Sequence, residues 1–273
     1  MKRILFILSL ALLVGAPSMD AQTKTNKPQR QGWNGPTLYG KVKKVTYRVD
    51  KENQWSENIY TFNNNGDVVE DVMWMDDGYI GRTVYKYDSK GQLVQESMYD
   101  YDDVLWWKKV FKYDANGNVV EWVQGINEVN EKEVYRYASN GNKIETQKYG
   151  YEGRYMGSEA YRYDASGKMI ESLNYNENGV FTGRTEYKYD TEGNLIEVLG
   201  YDWNDAPSGF HTNKYDSKGN ETESALYDAQ GKQYGFATYK YTYDSLGNVV
   251  EMSEYSGDRT TAEWTSIFKI EYK

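Results

Sequence analysis

One phrase recurs eight times along this chain and leaves little freedom in how it can fold. It reads aromatic, any residue, aromatic, Asp, two small or polar residues, Gly, Asn, two mostly apolar residues, Glu. The clearest copies are Tyr85–Gln95, Phe111–Glu121, Tyr161–Glu171, Tyr187–Glu197 and Tyr241–Glu251, with weaker ones at Tyr60–Glu70, Tyr135–Glu145 and Asn213–Glu223. Its glycines are Gly66, Gly91, Gly117, Gly141, Gly167, Gly193, Gly219 and Gly247, so the steps are 25, 26, 24, 26, 26, 26 and 28 residues. A fixed period of this size marks a tandem array of one small supersecondary unit.

Each unit carries two turn signals. The first is Asp-x-x-Gly-Asn, as in Asp190-Thr191-Glu192-Gly193-Asn194. Its Asp caps a type I turn and its Gly supplies the left-handed φ of a short hairpin loop. The second comes half a unit later, as in Asp76-Asp77-Gly78 or Tyr227-Asp228-Ala229-Gln230-Gly231. Between turns lie seven to ten residues rich in Tyr, Val, Ile, Thr and Trp, which is strand composition, and no stretch keeps a helical period. Each unit is therefore two antiparallel strands. With an opening segment Gly40–Val49 and a closing segment Thr265–Tyr272, the chain reads as an all-β antiparallel meander of about 18 strands.

Alternation read outward from the turn pairs Tyr189 with Leu195, Lys188 with Ile196 and Tyr187 with Glu197. Tyr187, Tyr189, Leu195 and Glu197 then share one face, and Lys188 and Ile196 the other. Repeated over the units, this puts a glutamate row beside the aromatics and a Lys/Arg row beside β-branched residues. Neither face is dry, so the expectation is a single-layer twisted or spiralling sheet in which units contact mainly their neighbours. Curling into a barrel or partial shell is the alternative.

The Tyr-x-Tyr-Asp-x-x-Gly-Asn-hydrophobic phrase resembles the YD-repeat (RHS-type) family over roughly residues 56–255. That resemblance implies β-hairpin strips that spiral into hollow shells in large exported toxins. This chain would be a short exported member without a toxin domain. Its period is longer, and Asn stands where the family often has Arg after the Gly.

Residues 1–21 read as a signal peptide: Lys2 and Arg3, the apolar run Ile4–Ala16, then Ala21 before a cut at Gln22. Residues 22–35 hold little to bury and read as a flexible leader, which leaves 36–273 as the array. Net charge is −9, becoming −10 after cleavage, so a nucleic-acid partner is excluded, and no second hydrophobic segment offers a membrane span. The absence of Cys excludes thiol enzymes, disulfide scaffolds and cysteine-held metals; a single His211 excludes the usual triads. No cofactor or metal is expected. Asp114–Asn118 and Asn63–Asp67 look like calcium loops but lack the later bidentate acid. The row Glu70, Glu121, Glu145, Glu171, Glu197, Glu223 and Glu251 is too regular for a catalytic carboxylate pair, which needs two unlike environments.

Aromatic residues are the better lead. Trp106 and Trp107 are adjacent and point to opposite faces, and by the same parity Trp122 lies on the lysine face. Tyr201–His211 departs most from the second-turn pattern and reads as a longer loop holding Tyr201, Trp203, Phe210 and His211. These seven residues are the candidate ligand-binding set. The expected function is an exported, monomeric, non-enzymatic scaffold that binds a polysaccharide or an envelope protein in the periplasm, at the cell surface or outside. A structural protein pairing through its terminal strands is the second reading, and a carboxylate-based glycosidase the third.

Overall fold

The computed structural model describes residues 30–51, 54–126, 128–257 and 261–273; residues 1–21, expected to be the signal peptide, lie outside them. Eighteen strands follow one another: β1 (Val42–Lys51), β2 (Gln54–Phe62), β3 (Val68–Met75), β4 (Gly78–Tyr87), β5 (Leu93–Asp100) and β6 (Leu105–Tyr113). Next come β7 (Val119–Gly125), β8 (Val129–Tyr137), β9 (Lys143–Tyr149), β10 (Tyr155–Tyr163), β11 (Met169–Asn176) and β12 (Phe181–Tyr189). The last six are β13 (Leu195–Asp202), β14 (Pro207–Tyr215), β15 (Glu221–Tyr227), β16 (Gln233–Tyr243), β17 (Val249–Ser256) and β18 (Trp264–Tyr272). Every strand pairs antiparallel with its sequence neighbours, and β1 also pairs with β18 from Val42↔Tyr272 to Asp50↔Thr265. The sheet is a closed barrel, which corrects the expected open single-layer sheet. Closure also removes the two free edges on which the strand-pairing assembly reading depended.

The expectation failed on parity. Beside each Asp-x-x-Gly turn the second strand carries one extra residue. Tyr189 does face Leu195, but Lys188 pairs with Glu197 and Tyr187 with Val198, so Ile196 is a bulge. The same shift occurs at Tyr87, Tyr113, Tyr137, Tyr163, Tyr215 and Tyr243. A one-residue shift flips every later side chain. It moves the glutamate row onto the cation face, where Lys112–Glu121, Arg136–Glu145, Arg162–Glu171, Lys188–Glu197 and Lys214–Glu223 form ion pairs at 2.5–2.7 Å. Those cations are 55–71% exposed and mark the convex outside. The motif tyrosines converge on the concave side, where desolvation raises the pKa of Tyr60, Tyr85 and Tyr241.

A hydroxyl ladder ties the units together. Tyr87, Tyr113, Tyr137, Tyr163, Tyr189 and Tyr215 each donate, at 2.5–2.8 Å, to the carbonyl two residues past the preceding unit's turn glycine: Val68, Leu93, Val119, Lys143, Met169 and Leu195. In the last unit the step is 28 residues, β16 is 11 residues long, and Tyr241 rather than Tyr243 reaches Glu221 O. Tyr243 donates to Asp216 instead.

The apolar core lies at the seam: Leu38, Val42, Val45, Phe62, Val68, Val249 and Phe268. Residues 30–35, whose composition suggests a leader, pack here with the rest of a strap running from Arg30 to Gly40. The Gln31 side chain donates to Gly91 O and accepts from Leu93 N, its carbonyl accepts from Val68 N, and Trp33 packs edge-on to Tyr60 at 4.9 Å. At the strap's other end Tyr39 N donates to Asn248 Oδ1. Lys273 at the C-terminus donates from N to Lys41 O and from Nζ to Asn63 O. Strap and C-terminus therefore share the rim that carries the Asp-x-x-Gly turns, here the near rim; the second turns form the far rim.

Removing one rung should be costly, because a half-buried carbonyl loses a strong donor. Tyr163→Phe is expected to destabilise the barrel by about 1–2 kcal/mol, measured by denaturant unfolding, while Tyr234→Phe on the exposed far rim changes little.

Candidate functional site

The seven sequence-predicted residues do not form one site. Tyr201–His211 is not a long loop: Asp202 N donates to Ala206 O, and Asp202 Oδ1 accepts from Asn204 N and Ala206 N. The turns at Asp100–Val104 and Asn176–Val180 have the same bonding. Asp205 (φ 63°) takes the left-handed position that Gly179 takes elsewhere. Trp203 stands at the turn tip, 67% exposed. Tyr201 lies on the outer face with the Arg184 guanidinium 3.8 Å from its ring centroid, and Phe210 stacks on Tyr227 at 4.4 Å, also outside. His211 faces inward and bonds Ser224 Oγ through Nε2 at 2.7 Å; burial lowers its pKa, so it is neutral at pH 7.

Trp106 is the bulged residue of β6 and is 54% exposed outside, whereas Trp107 pairs with Met98 on the inner face. Strict alternation puts Trp122 on the lysine face; the bulge at Tyr113 instead turns it inward opposite Phe111. There its Nε1 donates to Tyr135 Oη at 2.7 Å, Tyr135 donates to Glu133 at 2.6 Å, and Lys109 Nζ lies 4.1 Å from the indole. These bonds explain the inner aromatics as parts of the wall.

The far rim holds two rings that the motif search missed, Tyr101 and Tyr151, in line with Trp203, which it found. Tyr101, Tyr151 and Trp203 occupy the same position, first after the turn's capping residue, in the β5–β6, β9–β10 and β13–β14 turns, and are 66%, 55% and 67% exposed. They recur every fourth strand, about 19 Å apart along the rim. The signal was present in the sequence: an aromatic directly following the cap of a hairpin turn has no strand neighbour to pack against.

Over the first two of these turns and the one between them, Val104, Trp106, Ile126, Val129 and Met156 are exposed as well. A cleft of about 460 Å³ opens there, lined by Glu128, Val129, Lys132, Glu152 and Gly153. Tyr151 Oη donates to Glu128 at 2.5 Å and joins the two turns across it, and Lys132 Nζ sits 4.3 Å from the Tyr149 ring. Glu152 has φ 55° within the 3-10 turn Tyr151–Gly153.

The inner wall also holds carboxyl groups in poor solvation. Burial pushes Asp71 up to about 6, with a partly offsetting bond from Asn58 Nδ2. Burial, with Glu254 nearby, pushes Glu221 up to about 7, and its buried Oε1 accepts no hydrogen bond. The carboxylates that look like calcium ligands are occupied by their turns: Asp114 accepts from Asn116 N, Asn118 N and Asn118 Nδ2. Among the described residues no group of three or more His, Asp or Glu could hold a metal ion.

No protein-family model matches the chain, and no curated protein matches it. Among solved structures, a porin-like protein from Bacteroides uniformis aligns with 84% of this chain and 98% of its own at 12% identity, with a TM-score of 0.48. A porin-like protein from Bacteroides vulgatus covers 85% and 98% at 15% identity and a TM-score of 0.42. TcdB2-TccC3 aligns with 76% of this chain, over 12% of its own, at 14% identity and a TM-score of 0.37. None of these likenesses assigns a role to a residue here.

The raised inner carboxyls give a pH dependence of defined sign. The folded chain holds protons that an unfolded one, with carboxyl pKa values near 4, releases. That stabilisation is complete below about pH 4 and is lost as pH rises through 6 to 7. In the opposite sense, burial lowers the His211 pKa, one group against the two raised carboxyls in the same window, and Ser166 holds Asp164 and Asn118 holds Asp114 below the usual range, where they act only at lower pH. Melting temperature is therefore expected to be higher at pH 5 than at pH 8, and Asp71→Asn with Glu221→Gln should flatten that difference in calorimetry.

Proposed function

We propose that this chain is an exported, non-enzymatic barrel that binds a polysaccharide at its far rim. The observation that carries the reading is the evenly spaced set of exposed rings at Tyr101, Tyr151 and Trp203. Each is placed where packing does not require a ring. A flat π face meets the C–H face of a pyranose well, and large exposed apolar groups concentrated at one end of a molecule mark a contact surface. Trp106 extends the patch outward, and Tyr201 and Phe210 back the Trp203 turn from the outer face. No helix among the described residues is long and apolar enough to cross a membrane. Strands could cross only behind an apolar outer band, and here the outer face carries a row of ion pairs beside the near-rim turns. This supports a barrel with water outside it, acting as a rigid presenter of its rim.

The test is a glycan array and titration with residues 22–273. Tyr151→Ala and Trp203→Ala should each weaken binding of a hit glycan about tenfold and leave the melting temperature unchanged. Trp122→Phe should leave affinity intact, since its indole faces Tyr135. Equal affinity in all three variants would remove the rim from the reading.

A further inference from the structure

Resting on the far-rim reading, we infer that the three exposed rings are linked subsites for one molecule, a neutral polysaccharide that bends along the rim and is bound through its interior rather than through an end. The first support is that the subsites repeat with a longer period than the wall. Hairpins recur every two strands, yet the exposed ring stands on every second hairpin. The β11–β12 and β15–β16 hairpins make the same turn, with Asn176 N donating to Val180 O and Asp228 N to Lys232 O. They carry Glu177 and Ala229 where the others carry a ring. Wall geometry therefore accounts for the turns and not for the rings.

Each ring also comes with a set of its own. Two residues before it stands a tyrosine on the outer face, Tyr99, Tyr149 or Tyr201. Directly opposite on the preceding strand is a cation that covers it: Arg82, Lys132 and Arg184 lie 4.8, 4.3 and 3.8 Å from the ring centroids. At the intervening hairpins Tyr175 and Tyr227 face Ser158 and Phe210 instead. In the first and third sets the guanidinium pairs with an exposed turn carboxylate, Arg82 with Asp103 at 2.8 Å and Arg184 with Asp205 at 2.5 Å. In the middle set Tyr151 itself donates to Glu128.

A flat ring above fixed donors and acceptors suits a sugar, whose C–H face stacks while its hydroxyls find hydrogen-bond partners. Both arginines are already paired with carboxylates, so a uronate or sulfate gains little there and a neutral chain is favoured. Three copies of one set call for a ligand that repeats itself, which a polymer does and a terminal sugar does not. Neighbouring rings are about 19 Å apart along the rim, a gap of about four sugar units. From the β5–β6 turn to the β13–β14 turn the rim crosses eight of the eighteen strand steps, nearly half the circumference. A straight ribbon reaches two of the rings; a chain that curves reaches all three.

The test is calorimetric titration of β-1,3-linked glucan oligomers, which coil, of about three, six and ten units, against wild type, Tyr151→Ala and Glu177→Ala. A straight β-1,4-linked glucomannan oligomer and a polyuronate, each of about ten units, are the competitors. Affinity in the β-1,3 series is expected to rise about tenfold from three units to six and about tenfold again to ten, as the second and third subsites are reached. Tyr151→Ala should cost the longest oligomer about tenfold and the shortest less than about twofold, since two of its three sites remain. Glu177→Ala should change neither. Affinity independent of length, or a Tyr151→Ala loss equal at every length, overturns the linked subsites and leaves the rim reading standing. Glucomannan binding as tightly as the longest β-1,3 oligomer overturns the curved form, and tighter binding of the polyuronate overturns the neutral one. No binding by any saccharide overturns the rim reading itself.

Discussion

Everything distinctive about this barrel depends on one register shift, the bulge that follows every Asp-x-x-Gly turn. Without it, glutamates would stand among tyrosines and lysines among valines, and neither side of the sheet could be dried. With it, five Lys/Arg–Glu pairs face water and the motif tyrosines turn inward. Each exposed pair contributes little by itself, about 0–1 kcal/mol. Their collective effect is to leave the opposite face as the one that gains from being enclosed. Bulges also strengthen the local twist, and a sheet bent the same way at each hairpin comes round to meet its own first strand.

The units are held in order by groups that do not appear in a hydrophobic census. Few side chains are fully buried, and the apolar cluster they form lies at the seam where β1, β2, β3, β17 and β18 meet the strap. Away from the seam, cohesion comes from ladder hydrogen bonds and from the tyrosine hydroxyls that reach back to the previous unit. Tyrosine suits this double demand because its ring covers the neighbour while its hydroxyl satisfies a carbonyl. The high tyrosine content, 28 residues, and the modest aliphatic content are two aspects of one solution.

Much of this was legible in the sequence. The period, the strand count, both turn sets and the opening and closing strands follow from glycine spacing and turn chemistry. The bulge does not, because its residue has no signature: Val94, Val120 and Ile196 are ordinary strand residues, and only pairings such as that of Lys188 with Glu197 reveal them. That single omission misplaced Trp122 and put the glutamate row on the wrong face. Trp203 was legible as an exposed tip, whereas Tyr101 and Tyr151 were hidden by belonging to turns of ordinary length. The seven-residue set failed as a set because Tyr201–His211, which reads as a loop, is a regular hairpin whose alternation sends Phe210 out and His211 in.

Antiparallel closure has an arithmetic of its own. The first and last strands can pair antiparallel only when the ring holds an even number of strands, and each repeat contributes two. Whole units can therefore enter or leave a lineage without upsetting the seam, each changing the circumference by about 9–10 Å. A half-unit would force a parallel mismatch between β1 and its closing partner. Ring size in such an architecture is quantised, and the seam strands with their strap are the one part that every member of any size series must keep.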